Sequence, residues 1–207
     1  LRLFETLYAI ETENIFSDTI YNSQQKMKDT IYELIRKEVI PAIGCTEPIA
    51  VALCVARAKE KLGSEPDKLV VELSKNIYKN AMAVGIPNTG MTGLQIAIAL
   101  GATIGKSEYM LEVLRDTDEQ SVNYAKQYME RTDIQIVVKN DAPDMLYIHT
   151  TAFAGDKSAQ ATIMGDHTHF ADDNDNVSSA SDDANVDLIL SMRQVYDYAM
   201  TVDVAKM

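Results

Sequence analysis

A thiol set at the start of an apolar run is the most chemically suggestive feature of this chain. Cys45 stands in Ile43-Gly44-Cys45-Thr46-Glu47-Pro48, directly ahead of the run Ile49 to Ala58. Glycine breaks the preceding segment, Cys45 or Thr46 suits an N-cap, and Glu47 and Pro48 suit a first helical turn. A sulfur placed there meets unpaired backbone N–H groups and the positive end of the helix macrodipole. Both favour thiolate, the form that binds metal or attacks an electrophile. The plain alternative is a small buried residue at a helix start. Cys54 lies about two and a half helical turns further on and reads as core. Two thiols so separated on one helix cannot hold a metal cluster by themselves.

Two further stretches carry groups able to do chemistry. Gly85-Ile86-Pro87-Asn88-Thr89-Gly90-Met91-Thr92-Gly93 is a glycine-rich turn whose successive N–H groups could converge on an anion, with a helix beginning near Met91 adding its dipole. A turn that merely lets a small-residue helix pack closely reads equally well. Lys79 and Asn80 follow a strand candidate. Lys79 suits either a substrate carboxylate, a base if burial lowered its pKa, or ordinary solvation. His149, His167 and His169 come late; the last two, on a strand over Ala159 to Phe170, would share a face at a two-ligand zinc spacing, or be paired surface histidines. Gly101-Ala102-Thr103-Ile104-Gly105-Lys106-Ser107 misses the P-loop spacing by one residue and falls at a helix end, so nucleotide hydrolysis is rejected. No dinucleotide fingerprint, pyridoxal-phosphate motif or nucleophile elbow is present.

The elements that must position these groups follow from periodicity and punctuation. Helices are predicted over 27–40, from Cys45 to about Leu62 with a stop at Gly63, over Met91–Ile104, over Ser107–Arg115, over Asp118–Arg131 and over about Val186–Met200. The stretch Lys75 to Val84 is helical or irregular. Strands are predicted over Leu69–Ser74, Ile134–Lys139, Leu146–Ala152 and Ala159–Phe170. The expected fold class is α+β, with helices packed on one face of a small, mainly antiparallel sheet and an extra C-terminal helix. The three late strands read as a meander, which the lone early strand joins at an edge or in the centre.

Some of these residues carry a resemblance. Glu38-Val39-Ile40-Pro41-Ala42-Ile43-Gly44-Cys45-Thr46-Glu47-Pro48-Ile49-Ala50-Val51-Ala52-Leu53 is similar to the opening of the bacterial and archaeal family that includes L-cysteine desulfidase. That family, of UPF0597 type, is related to the alpha domain of iron–sulfur L-serine dehydratases. The likeness continues through Asn76 to Gly90, through Gly101-Ala102 and Gly105-Lys106-Ser107-Glu108-Tyr109, and returns at Gly165-Asp166-His167-Thr168, covering about Met27 to Thr201. It implies a [4Fe-4S] lyase acting on a small amino acid and giving pyruvate and ammonia. Cys45 would then be a metal ligand, Glu47 and Lys79 catalytic, and Thr46, Asn80, Asn88, Thr89 and Gly90 substrate-binding. His167 would line the cleft or set a turn.

The family's other cluster cysteines lie in a C-terminal half without a counterpart here, and a cubane cluster takes three or four thiolates. The chain therefore reads as the N-terminal part of an enzyme, inactive and cluster-free when isolated. Its expected organisation is a leader or extension at 1–26, the lyase-like domain at 27–170, an acidic mobile loop at 171–185, and a helix at 186–207 leading to the missing half. That half, a small amino-acid substrate and a second copy of the chain are the expected partners. Two other readings stay open: a non-catalytic family member that binds a small anion or a partner, and a thiol enzyme using Cys45 directly as nucleophile.

Composition bounds these readings. The chain has 207 residues, 46% hydrophobic and 24% charged, enough for a sizeable core. A formal charge of −12 without a basic stripe argues against nucleic-acid binding. Much of that charge sits in Asp172, Asp173, Asp175, Asp182, Asp183 and Asp187. Two cysteines without paired spacing point to a reducing cytoplasm, and no apolar run reaches the length of a membrane span.

Overall fold

The computed structural model describes residues 30–36, 39–171 and 191–203. The expectations for the leader at 1–26 and for most of the acidic loop lie outside the described residues. The described chain falls into two units, one comprising residues 41–171 and the other residues 30–36, 39–40 and 191–203.

The larger unit begins with α2 (Thr46–Leu62), entered from Cys45 and closed by Gly63 in the left-handed conformation. Glu47 sits in its first turn and Lys59 and Lys61 in its last, as the macrodipole prefers. Its apolar run has no polar face: Ile49 to Ala56 are all fully buried. A helix hydrophobic all round must be central, and α2 packs against α4 (Leu94–Thr103), β5 (Tyr147–Ala154) and β6 (Lys157–Met164).

Between α2 and α4 run β1 (Lys68–Ser74), α3 (Lys75–Ala81) and a short hairpin of β2 (Gly85–Ile86) and β3 (Met91–Thr92). A 3-10 helix (Ser107–Glu112), α5 (Glu119–Arg131) and β4 (Asp133–Lys139) complete the unit. The sheet order is β4-β1-β5-β6. β1 pairs parallel with β4 and antiparallel with β5, and β5 pairs antiparallel with β6. Leu69, Val71, Leu73, Ile148, Ala152, Ala161 and Ile163 are buried beneath the helices, while Glu72, His149 and Thr151 alternate onto the other face.

The fold class holds: α+β, a sheet with two antiparallel pairs and one parallel, helices against it and a C-terminal helix. Four local expectations change. The late strands are not a meander, because β1 inserts between β4 and β5. Its run Leu69-Val70-Val71 forms a central strand, so Asn140 to Pro143 link non-adjacent strands. The small-residue helix starts at Leu94, since Gly93 donates its N–H to Val84 and Met91–Thr92 join β3. Ser107–Glu112 is a 3-10 segment broken at Met110 (φ 49°). β6 ends at Met164, so His167 and His169 occupy the turn beyond it rather than one strand face.

In the other unit, residues 30–36 form helix α1, with Ile31 buried and the Arg36 guanidinium 5.0 Å from the Tyr32 ring centre. Helix α6 (Met192–Thr201) opens on a reciprocal Ser191–Gln194 capping box. No described helix is long and apolar enough to cross a membrane.

Tyr128 on α5 is fully buried and its hydroxyl donates to the Pro66 carbonyl at 2.8 Å, tying α5 to the turn that opens β1. Burial pushes its phenol well above the ordinary tyrosine range. A raised folded-state pKa stabilises fully below the unfolded value and is lost as pH rises through the folded one. Tyr128→Phe should therefore cost about 1–2 kcal/mol at neutral pH by orphaning a buried carbonyl. Its urea midpoint should fall less steeply than that of the parent between roughly pH 10 and 11. Equal alkaline slopes would show that the Tyr128 phenol is not the titrating group.

Candidate functional site

The chain enters α2 through a tight corner. Gly44 has φ +88°, and a Cβ there would lie 2.7 Å from Pro87 Cγ, so the position needs glycine for both backbone and space. That contact brings the β2–β3 turn against the entrance to α2. Ile43 N–H donates to the Leu111 carbonyl at 3.1 Å, anchoring the same segment to the 3-10 helix.

Cys45 occupies the N-cap, but its sulfur makes no capping bond. The thiol instead donates to Glu47 Oε2 at 3.0 Å, beside the Thr46 hydroxyl, which donates to the same oxygen at 3.3 Å. The other carboxylate oxygen, Oε1, accepts from Asn80 Nδ2 of α3 at 3.1 Å. Glu47 thus draws a thiol, a hydroxyl and an amide from two elements into one cluster.

The electrostatics reverse one expectation. Burial, reinforced by the hydrogen bond to Glu47 and the nearby carboxylate charge, pushes the Cys45 thiol up; the backbone N–H groups oppose this and lose. The proton therefore rests on sulfur, and the helix start does not by itself yield a thiolate. The hydrogen bond from Cys45, helped by those from its own N–H and Asn80 and by the charge of His167, holds Glu47 below the usual carboxylate range despite burial.

The other site residues fall within the cluster, within the β2–β3 turn, or outside both. Asn80 and Thr46 join the cluster through Glu47. Asn88 (φ 61°) and Gly90 (φ 64°) shape the β2–β3 turn. The Thr89 hydroxyl is engaged within that turn, donating to Ile86 O at 2.7 Å and accepting from Met91 N at 2.9 Å. Lys79 is exposed on α3, one position from Asn80. Cys54 is fully buried, its sulfur 3.2 Å from Ala161 O and 3.7 Å from Ile148 O, as a core residue should be. No group of three or more His, Cys, Asp or Glu side chains is placed to hold a metal among the described residues. Spacing alone could not reveal the Glu47–Asn80 bond, since its partners are 33 residues apart and meet through tertiary packing.

The larger unit is thus a helix-on-sheet α+β domain with a thiol–carboxylate–amide cluster at the entrance of its central helix. The chain is 51% identical over 179 residues to a UPF0597 protein of Bacteroides fragilis, covering 83% of this chain and 42% of that protein. It is 50% identical over 181 residues to a UPF0597 protein of Bacteroides thetaiotaomicron, with the same shares. The likeness to a UPF0597 protein of Dichelobacter nodosus is 37% over 194 residues, 89% of this chain and 45% of that protein. These relationships place the chain with the UPF0597 family, a designation that states no reaction. The chain spans about two fifths of the length of these relatives. No family model matches it, and no solved structure matches it.

Proposed function

We propose that this chain supplies the thiol-bearing wall of an amino-acid lyase site of the L-cysteine desulfidase or L-serine dehydratase type. The supporting observation is convergence: the stretches around Cys45 and Asn80, both of which carry the family resemblance, meet at Glu47.

A [4Fe-4S] cluster needs three or four thiolates. Cys45 is half-buried and Cys54 is sealed in the core, so the described residues do not fit that group by themselves. In this reading Cys45 offers one ligand and the rest belong to polypeptide outside this chain. The chain's own residues have roles that stand apart from any cluster. A carboxylate held below its ordinary range is a poor proton acceptor at neutral pH and a good partner for a cation. Glu47 is thereby better suited to gripping a substrate ammonium than to removing an α-proton. Asn80 fixes the direction of that carboxylate. Exposed Lys79, next to Asn80, remains available for a substrate carboxylate or as the base. The Asn88–Gly90 turn, held against Gly44 through Pro87, borders the same entrance. A family member that binds a small anion or a partner without catalysis is the second reading, favoured for the isolated chain by its single accessible thiol among the described residues.

The test measures pyruvate release from L-cysteine and L-serine by a protein extended to the relatives' length. Cys45→Ala should abolish turnover there, and normal turnover would end the lyase reading. The chain alone, treated anaerobically with iron and sulfide, should stay colourless. A chelator-sensitive chromophore lost with Cys45→Ala would instead show that this chain, or its oligomer, gathers the thiolates itself.

A further inference from the structure

The sheet has two edges, and they are treated differently. The edge of β6 is partly covered by the returning chain. Phe170 bridges to Ile163, Ala171 N–H donates to Thr162 O at 2.9 Å, and Met164 N–H donates to His169 O at 3.2 Å. The edge at β4 pairs only with β1, and no described residue pairs with its outer side.

An open edge strand is a template for another chain, and proteins ordinarily blunt it with proline, a bulge, an inward charge or a covering loop. β4 reads Asp133-Ile134-Gln135-Ile136-Val137-Val138-Lys139. It has no proline and no glycine, its pairing to β1 is unbroken over all seven residues, and its charges stand only at its two ends. Val137 and Val138 are 39% and 36% exposed, and Ile134 and Ile136 are only half-buried. This strand is rich in β-branched residues and is left bare.

Its sequence says what covers it. Turned antiparallel to itself about Ile136, the strand places Asp133 opposite Lys139, Ile134 opposite Val138, Gln135 opposite Val137, and Ile136 opposite itself. Residues directly opposite share a face. The apolar pairs Ile134–Val138 and Ile136–Ile136 therefore fall together on the helix-covered side, and both ends gain opposite-charge pairs. A parallel self-pairing would set Asp133 against Asp133 and Lys139 against Lys139. The antiparallel arrangement also closes as a two-fold dimer, so no further edge is propagated. Within one chain Asp133 lies 3.5 Å from Lys68, and Lys139 lies 3.5 Å from Glu72. Asp133 and Lys139 keep 53% and 33% of their side-chain surface exposed.

We propose that β4 pairs with β4 of a second copy of this chain about a two-fold axis through Ile136, joining two four-stranded sheets into one of eight strands. The interface lies on β4 and does not depend on the lyase reading. Sedimentation equilibrium of the full 207-residue chain should show a reversible dimer at micromolar concentrations. Val137→Lys places a charge typical of protected edges at an already exposed position, and should weaken association at least tenfold while circular dichroism stays unchanged. Asp133→Lys should weaken it too, by setting like charges opposite one another. Asp133→Lys combined with Lys139→Asp restores opposite charges across the axis and should recover the dimer; because Lys68 and Glu72 then face like charges within their own chain, the comparison is made between variants whose circular dichroism and urea midpoints match. A chain monomeric at all concentrations overturns the proposal, as would be found if the strand were paired by other polypeptide in longer relatives. A dimer indifferent to Val137→Lys, or a double variant weaker than Asp133→Lys alone, overturns it equally.

Discussion

Gly101→Val should leave the chain without a cooperative unfolding transition. Gly101 lies on α4 where it crosses α2, and a Cβ there would stand 2.5 Å from the Ala52 carbonyl oxygen and 3.0 Å from Ala52 Cα. The obstacle is backbone, which cannot swing aside as a side chain can. One turn on, a Cβ at Gly105 would meet Ala56 Cβ at 2.9 Å and the Gly101 carbonyl at 2.6 Å. Gly101 on α4 and Gly105 just beyond its end, set against Ala52 and Ala56, let the buried faces of the two segments approach closely. Overpacking a core ordinarily costs about 1–3 kcal/mol. A clash against backbone exceeds that ordinary range, and valine adds two methyl groups beyond the clashing carbon, so the loss reaches the low end of a total stability of roughly 5–15 kcal/mol. Gly101→Ala separates packing from propensity. Alanine gains about 1 kcal/mol of helix propensity over glycine, so a net loss in urea unfolding shows that the clash dominates. A stabilised alanine variant would mean that the helices are less tightly held than this contact requires.

The same region shows what a single sequence discloses. The glycine spacing of α4 is visible in the chain, yet it reads equally as a loop signal, a failed P-loop or a packing device until Ala52 is seen opposite. Two helix ends are legible because their chemistry is local: Gly63 closes α2, and α5 starts where Asp118 accepts from Ser121 N–H at 2.8 Å. The start of α3, open in the sequence between helical and irregular, is fixed by Ser74 accepting from Ile77 N–H at 3.3 Å. Sheet order was not legible, because the parallel β1–β4 pairing is decided by where intervening helices can pack. The His167-Thr168-His169 alternation suggested a strand, but Asp166 captures the Thr168 N–H and hydroxyl at 2.8 and 2.6 Å and turns the chain instead. At the candidate site the sequence singled out Cys45, Thr46, Glu47 and Asn80 separately. Their connection through one carboxylate, and its effect on the thiol, depend on distances that no spacing rule contains.

Cys45 and Cys54 should differ in native alkylation rate on the order of a hundredfold or more, since Cys54 reacts only when the core opens. Cys54 thus serves as an internal control for unfolding in every variant. The reactivity of Cys45 should rise with pH later than that of an ordinary cysteine, because burial and Glu47 both favour the protonated sulfur. Glu47→Gln removes the carboxylate charge and leaves burial in place, so the Cys45 profile should move to lower pH and labelling at neutral pH should quicken several-fold. Asn80→Ala keeps the charge but frees its direction, and should move the profile less. The same couple has a stability signature of opposite sign at its two ends. The depressed Glu47 pKa contributes stability present above its unfolded value and lost as pH falls through the folded one. The raised Cys45 pKa contributes stability lost as pH rises. Glu47→Gln should therefore flatten the acid side of the stability profile as well as quicken labelling. Unchanged labelling in Glu47→Gln would separate the thiol from the carboxylate and remove the cluster on which the lyase reading stands. Faster labelling of Cys54 in that variant would instead mark loss of the fold. Quicker Cys45 labelling with Cys54 still protected is the one combination that a thiol–carboxylate couple on an intact domain requires.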